Sequence, residues 1–229
     1  MLSSLLAPGR VLLHMGCDEC GRDEAYLAVK VLKKLGVKAE VRDFHCGCDF
    51  FGTDEERIKE LVKANERVLD DCQMVIVGCG RCYHVIKKYY SIKSKHIAVV
   101  IHDRLKDMHH EFAGHGDVLY HDPCYLSRFE HIVDSPREIL SILGYNVREF
   151  KNNKEKTDCC GDYSTIQSLR GRAAEIRLAQ APKGALITAA CPKCTRNFAD
   201  FNKLNSKITV KPFLELVDEA LNIEIPVKL

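Results

Sequence analysis

No apolar run in this chain approaches the length of a membrane-spanning helix. The opening MLSSLLAPGR is too short and too interrupted to span a bilayer or to act as a signal peptide, so the expectation is a cytoplasmic chain with no membrane span. Charge of one sign is lacking too. A net charge of +2 over 229 residues gives no reason to expect a nucleic-acid or anionic-membrane partner. A glycine loop of the dinucleotide-cradling type is also missing. The glycines of GCGRC (78–82) stand between cysteines that have a better use. With neither a flavin nor a nicotinamide site evident, any electrons this chain uses must come from another protein. What remains is ordinary globular composition, 46% hydrophobic and 29% charged, enough for one large core or two modest ones.

The excess is in cysteine, of which there are 12. Without an export signal they are poor candidates for a disulfide framework, and they fall in short clusters rather than evenly along the chain. Clustered thiols in a reducing compartment point to metal or to redox chemistry.

The clusters recur. VLLHMGC (11–17) and VLYHDPC (118–124) share Val-Leu-x-His-x-x-Cys, with their cysteines 107 residues apart. Cys79 and Cys82 correspond to Cys191 and Cys194 at an offset of 112, and Cys48 and Cys160 obey the same offset. Two copies of one unit follow, 10–114 and 117–222, joined at AGHG (113–116), which divides the chain into domains 1–115 and 116–229.

Hydrophobic periodicity supports that division. In the first copy RVLLHM reads as a strand, and DEAYLAVKVLKKLG as a helix ending on Gly36. KAEVRDF reads as a strand, followed by a helix over 53–71 with Thr53 as N-cap and Glu56 three residues on. QMVIVG, CYHVIKKYY and HIAVVI then predict strand, helix and strand. The second copy runs in the same order, with Ser135 as N-cap and Pro136 opening its first helix. The predicted fold is α/β. It has two pseudo-symmetric repeats, each a small parallel βαβ sheet flanked by helices, with cysteines at the carboxyl ends of the strands. Thiols distant in sequence then share one sheet edge, where helix N-termini favour thiolates.

The second copy offers Cys124, Cys159, Cys160, Cys191 and Cys194; the first offers Cys17, Cys20, Cys46, Cys48, Cys79 and Cys82. Cys72 is left over as a small core residue. Four thiolates satisfy either tetrahedral zinc or a cubane [4Fe–4S] cluster, and five exceed both. The soft, thiolate-only set favours iron–sulfur over zinc.

At this point the residues resemble a family. HDPCYLSRFEHIVDSPREILSILG, then DCCG, then ACPKC, is similar to the cysteine-rich CCG domain of the catalytic chain of heterodisulfide reductase and its relatives. In this chain 34 residues separate Cys124 from Cys159, and 30 separate Cys160 from Cys191. The resemblance implies a noncubane [4Fe–4S] cluster on all five second-copy cysteines. It further implies a disulfide-reducing iron–sulfur oxidoreductase subunit, fed by partner iron–sulfur and flavin subunits and acting on a small thiol or disulfide substrate.

The first copy departs from the pattern. HCGC places Gly47 between Cys46 and Cys48, so a second cluster or zinc are the alternatives there. Its expected ligands are Cys17, Cys46, Cys48, Cys79 and Cys82, with Cys20 as substitute for Cys17. His14, His45 and His121 are candidate proton donors or cluster-orienting groups, against a bland role as strand-end or loop histidines. Arg81 and Lys193 either balance cluster charge or face water, and Phe50, Phe51 and Tyr83 either wall a pocket or pack the core. Two other classes compete: an electron-transfer subunit of a flavoprotein dehydrogenase, and a zinc-stabilised interaction module.

Overall fold

A computed structural model describes residues 10–17, 19–108, 112, 115–163, 166–202 and 208–222, with the backbone alone at 19–23. The first half runs β1 (Arg10–His14), α1 (Glu19–Lys34), β2 (Glu40–Val41), α2 (Glu55–Leu69), β3 (Cys72–Val77), α3 (Gly80–Tyr89), β4 (Lys93–His96) and α4 (Ile97–Leu105). The second runs β5 (Gly116–Tyr120), α5 (Asp134–Ile142), β6 (Tyr145–Glu149), α6 (Gln167–Leu178), β7 (Leu186–Thr188), α7 (Pro192–Phe201), β8 (Thr209–Val210) and α8 (Phe213–Leu221).

Each half builds a four-stranded parallel sheet, ordered β2-β1-β3-β4 and β6-β5-β7-β8. Leu12 and Leu13 point to opposite faces of β1 and both are fully buried, as strands covered by helices on two sides require. The identical strand order is the pseudo-symmetry expected from the repeat. It puts a switch point at β1/β3 and again at β5/β7, where the chain first steps outward and then crosses back. Crevices at such points are where open α/β sheets place their sites.

Several local expectations shift. HIAVVI is not a strand: β4 is the preceding KSKH segment, and the apolar run opens α4. The His96 side chain accepts from Ala98 N at 3.3 Å and so caps that helix. Because α4 buries Ile97, Ala98, Val100, Ile101 and Leu105, its β-branched run mimics a core strand. KAEVRDF contributes only Glu40 and Val41 to the sheet. The N-cap of α2 is Asp54, whose Oδ1 accepts from Arg57 N at 3.0 Å, while Thr53 turns back to Phe50 O. Ser135 caps nothing, because α5 is already helical at Asp134. Cys72 is half-buried at the start of β3 rather than in the core. Gly36 does end α1 as expected. Its φ of +71° lets Val37 N reach Leu32 O at 2.8 Å, closing the last turn.

The halves pack through helices, α1 against α7 and α8, and α4 against α5. Asp218 of α8 accepts from Lys30 and Lys34 of α1 at 2.7 and 2.6 Å. Glu130 of the second half pairs with His84 and Lys87 of α3 at 2.6 and 2.7 Å. Among the described residues no helix is long and apolar enough to cross a membrane.

Candidate metal centre

Cys17 follows β1, Cys46 and Cys48 follow β2, and Cys79 and Cys82 sit at the start of α3 after β3. The sheet therefore delivers five thiols to one edge from three turns. Cys17 Sγ lies 3.2 Å from Cys46 Sγ and 3.8 Å from Cys82 Sγ, and Cys82 Sγ lies 3.5 Å from Cys48 Sγ. The displaced Cys46 is not lost to the site. Gly47 adopts a left-handed turn, φ +86° and ψ 9°, and the cysteines on either side of it are both fully buried.

That loop is clamped from behind. Asn65 Nδ2 donates to His45 O and to Tyr90 Oη, each at 2.9 Å, and Tyr90 Oη donates to Cys46 O at 3.2 Å.

In the second half Cys124 follows β5, Cys159 and Cys160 follow β6, and Cys191 and Cys194 open α7 after β7. Cys159 is exposed, Cys124 half-buried, and the other three buried. Gly161 N donates to Cys159 Sγ at 3.3 Å, and Asn197 Nδ2 holds Cys160 O at 2.7 Å. Thiol contacts link Cys124 to Cys159, Cys159 to Cys160, Cys160 to Cys194 and Cys194 to Cys191.

The two sets meet. Cys79 contacts both Cys82 of its own half and Cys191 of the other, and its Sγ is 3.5 Å from Tyr163 Oη. The Tyr163 ring lies beneath Arg81 at 4.2 Å and Lys193 at 4.8 Å, one cation from each Cys-x-x-Cys. Arg81 and Lys193 therefore flank the junction instead of facing water. Ten thiols form one continuous run from Cys124 to Cys17. Cys72 stands apart, and the side chain of Cys20 lies outside the described residues. None of the described cysteines is bridged.

Thiols packed this closely cannot all ionise against one another. Hydrogen bonds from Cys46, Cys48 and Cys82 pull Cys17 far below an ordinary thiol, while Cys17 and Cys46 push Cys48 up. In the other set, contacts from Cys124 and Cys160 hold Cys159 to about 2, and Cys159 in turn raises both of them. Cys79 is lowered by Cys191 and Cys82. Lowered thiols (Cys17, Cys46, Cys79, Cys159) are thus interspersed among raised ones along the run. A multivalent metal core removes that frustration, because a coordinating thiol is deprotonated outright. Soft donors, burial and sulfur–sulfur distances of 3.2–3.8 Å in the first set fit such a core.

Among the described residues, two groups have ligand atoms close enough to hold a metal ion, within 4.8 Å of one another: His14, Cys17, Cys46 and Cys82, and His121, Cys160 and Cys194. Both histidines are buried, which removes the surface strand-end reading. His14 Nε2 lies 3.5 Å from Cys17 Sγ, and its ring stacks on Phe44 with centroids 4.4 Å apart. Burial disfavours its charge, but donation to the Cys17 and Cys46 sulfurs prevails and raises it to about 10. Burial and the nearby Arg177 charge lower His121 to about 3. His45 instead turns outward to Asp49 at 3.2 Å. Beside it, Gly16, Cys17, Asp43, Phe44 and His45 line a cleft of about 250 Å³.

Phe51 meets the His84 ring edge-on at 4.9 Å, and Tyr83 is buried, so these aromatics pack between elements. Sequence reading missed Asn65, Tyr163 and Arg177. Asn65 and Arg177 do leave a trace, each being a polar residue on a buried helical stripe, with Ile58 in α2 and with Gly171, Ala174 and Leu178 in α6.

A duplicated α/β scaffold with a buried cysteine run at paired switch points defines a candidate metal-binding protein. Residues 118–199 match the family model of the CCG cysteine-rich domain. The chain is 29% identical over 227 residues to one of the subunits of dihydromethanophenazine:CoB--CoM heterodisulfide reductase from Methanosarcina mazei, covering 87% of this chain and 56% of that protein. It is 28% identical to one of the subunits of a fumarate reductase (CoM/CoB) from Methanothermobacter marburgensis, covering 93% and 47%. Over 96 residues it is 31% identical to a probable iron-sulfur-binding oxidoreductase of Bacillus subtilis, covering 39% and 14%. The chain thus spans about half the length of the first two of these relatives.

Proposed function

We propose that this chain is an iron–sulfur oxidoreductase subunit that reduces a disulfide, or a related thiol substrate, with electrons from partner iron–sulfur and flavin subunits. The supporting observation is the unbroken run of ten thiols across the two switch points. Cys124, Cys159, Cys160, Cys191 and Cys194 would hold a [4Fe–4S] cluster of the noncubane type. Cys17, Cys46, Cys48, Cys79 and Cys82 would hold a second cluster or zinc, with Cys20 as substitute for Cys17. The two repeats, 1–115 and 116–229, would each supply one centre.

When bound, such clusters supply electrons one at a time, which suits two-electron cleavage of an S–S bond into two thiols with two protons taken up. The chain's own groups serve that task by position. Burial of Cys79, Cys82, Cys191 and Cys194 excludes water from the middle of the run. Half-buried Cys124 beside exposed Cys159, and half-buried Cys17, leave its two ends accessible to substrate or to a partner.

One feature favours a second reading, an electron-transfer subunit of a flavoprotein dehydrogenase complex. Tyr163 contacts Cys79 where the two thiol sets meet, which leaves less room there for a substrate. Stopped-flow reoxidation of the anaerobically reduced protein separates the two. Small disulfides should reoxidise it and release two thiols per disulfide. If only a redox protein or dye reoxidises it, the disulfide activity is refuted and the relay stands. Colourless protein holding zinc alone would leave an interaction module.

A further inference from the structure

His121 is fully buried, and its Nδ1 accepts from Arg177 Nε at 3.2 Å. An arginine Nε always carries its hydrogen, so Nδ1 presents its lone pair. The hydrogen of the neutral ring then resides on Nε2. That atom has no hydrogen-bond partner, sulfur included, and the imidazole lies beside Cys160 and Cys194, with ligand atoms within 4.8 Å of one another. A ring nitrogen bearing hydrogen has no lone pair to offer a metal. Proximity alone would make His121 a ligand; its tautomer makes it a donor.

Arg177 is itself immobilised. It is fully buried, donates to Asn152 O at 2.6 Å and to Asp158 Oδ2 at 3.1 Å, and stacks on Phe150 at 4.0 Å. Its contacts bracket the segment leading into Cys159 and Cys160, so one side chain fixes both the loop and the ring. His14, the repeat counterpart, has no partner at Nδ1.

We propose that Arg177 locks the His121 hydrogen on Nε2, free to donate to a sulfur of the occupied second-half centre, making His121 a positioning residue that raises the reduction potential of that centre and not one of its metal ligands. Donation to a thiolate sulfur draws off charge and so stabilises the reduced state. The redox consequence rests on the iron–sulfur reading above; the tautomer does not.

The test compares anaerobically purified wild type, His121→Gln and His121→Leu by iron content and by redox titration followed by electron paramagnetic resonance. Gln keeps an N–H donor and Leu removes it. Iron content should stay at the wild-type level in both variants. The Leu variant should shift the one-electron equilibrium about tenfold toward the oxidised state, about 59 mV, and the Gln variant clearly less. Loss of iron from both variants, or an unchanged potential in the Leu variant, overturns the proposal. If wild type holds no iron, the proposed function falls separately. Histidine 15N shifts of that diamagnetic protein still decide the tautomer, with hydrogen on Nε2 expected and hydrogen on Nδ1 contradicting it. The same shifts, read on zinc-loaded wild type, decide it if neither variant folds.

Discussion

Gly47 shows how one inserted residue can be absorbed. At φ +86° it turns the backbone so that Cys46 and Cys48 both reach the first thiol set. A Cβ there would lie 3.3 Å from Ile58 Cγ1, in a conformation that L side chains resist. Gly47→Ala should therefore cost about 1–2 kcal/mol in anaerobic urea unfolding and lower metal occupancy in the first half. Wild-type stability in that variant would mean that the turn does not depend on glycine. At this scale the cysteines were legible because their chemistry is singular and their offset repeats. Tyr163 was not, since nothing in CCGDY marks a ring that will rest against the opposite half. Asn65 and Arg177 were hidden for another reason. A polar residue on an apolar stripe reads as noise until its partners, His45 and Tyr90 or His121 and Asp158, are seen beside it.

Between elements, the α1–α8 contact turns on Asp218, whose side chain is 10% exposed between Lys30 and Lys34. Burial opposes its charge, but the two ammonium groups prevail and its pKa is lowered. A depressed carboxyl stabilises the fold fully above its unfolded value, about 3.9, and loses that contribution as the pH falls through the folded value. Asp218→Asn should cost about 1–3 kcal/mol at neutral pH. The gap from wild type should close in acid. Urea midpoints at both pH values check this, and a gap that persists in acid would contradict it. Element reading from the sequence was mostly sound, with informative failures. The α4 run passed for a strand because its first five residues are all apolar and show no helical period, and the sheet uses only two residues of the stretch read as β2.

Over the whole molecule, duplication was legible from the offset alone, and so was convergence of thiols within each half. The meeting of the two sets at Cys79 and Cys191 was not. It arises from helix packing across the halves, which no spacing within one repeat encodes. The consequence is one sulfur run with a dry middle and two accessible ends. Its most direct test is iron, sulfide and zinc analysis of anaerobically purified protein, with electron paramagnetic resonance, on wild type, Cys160→Ser and Cys72→Ser. Wild type and Cys72→Ser should carry about four iron atoms and matching sulfide per cluster, and Cys160→Ser should lose the second-half signal. Protein free of iron and sulfide, or a Cys160→Ser variant with the full complement unchanged, would contradict the assignment.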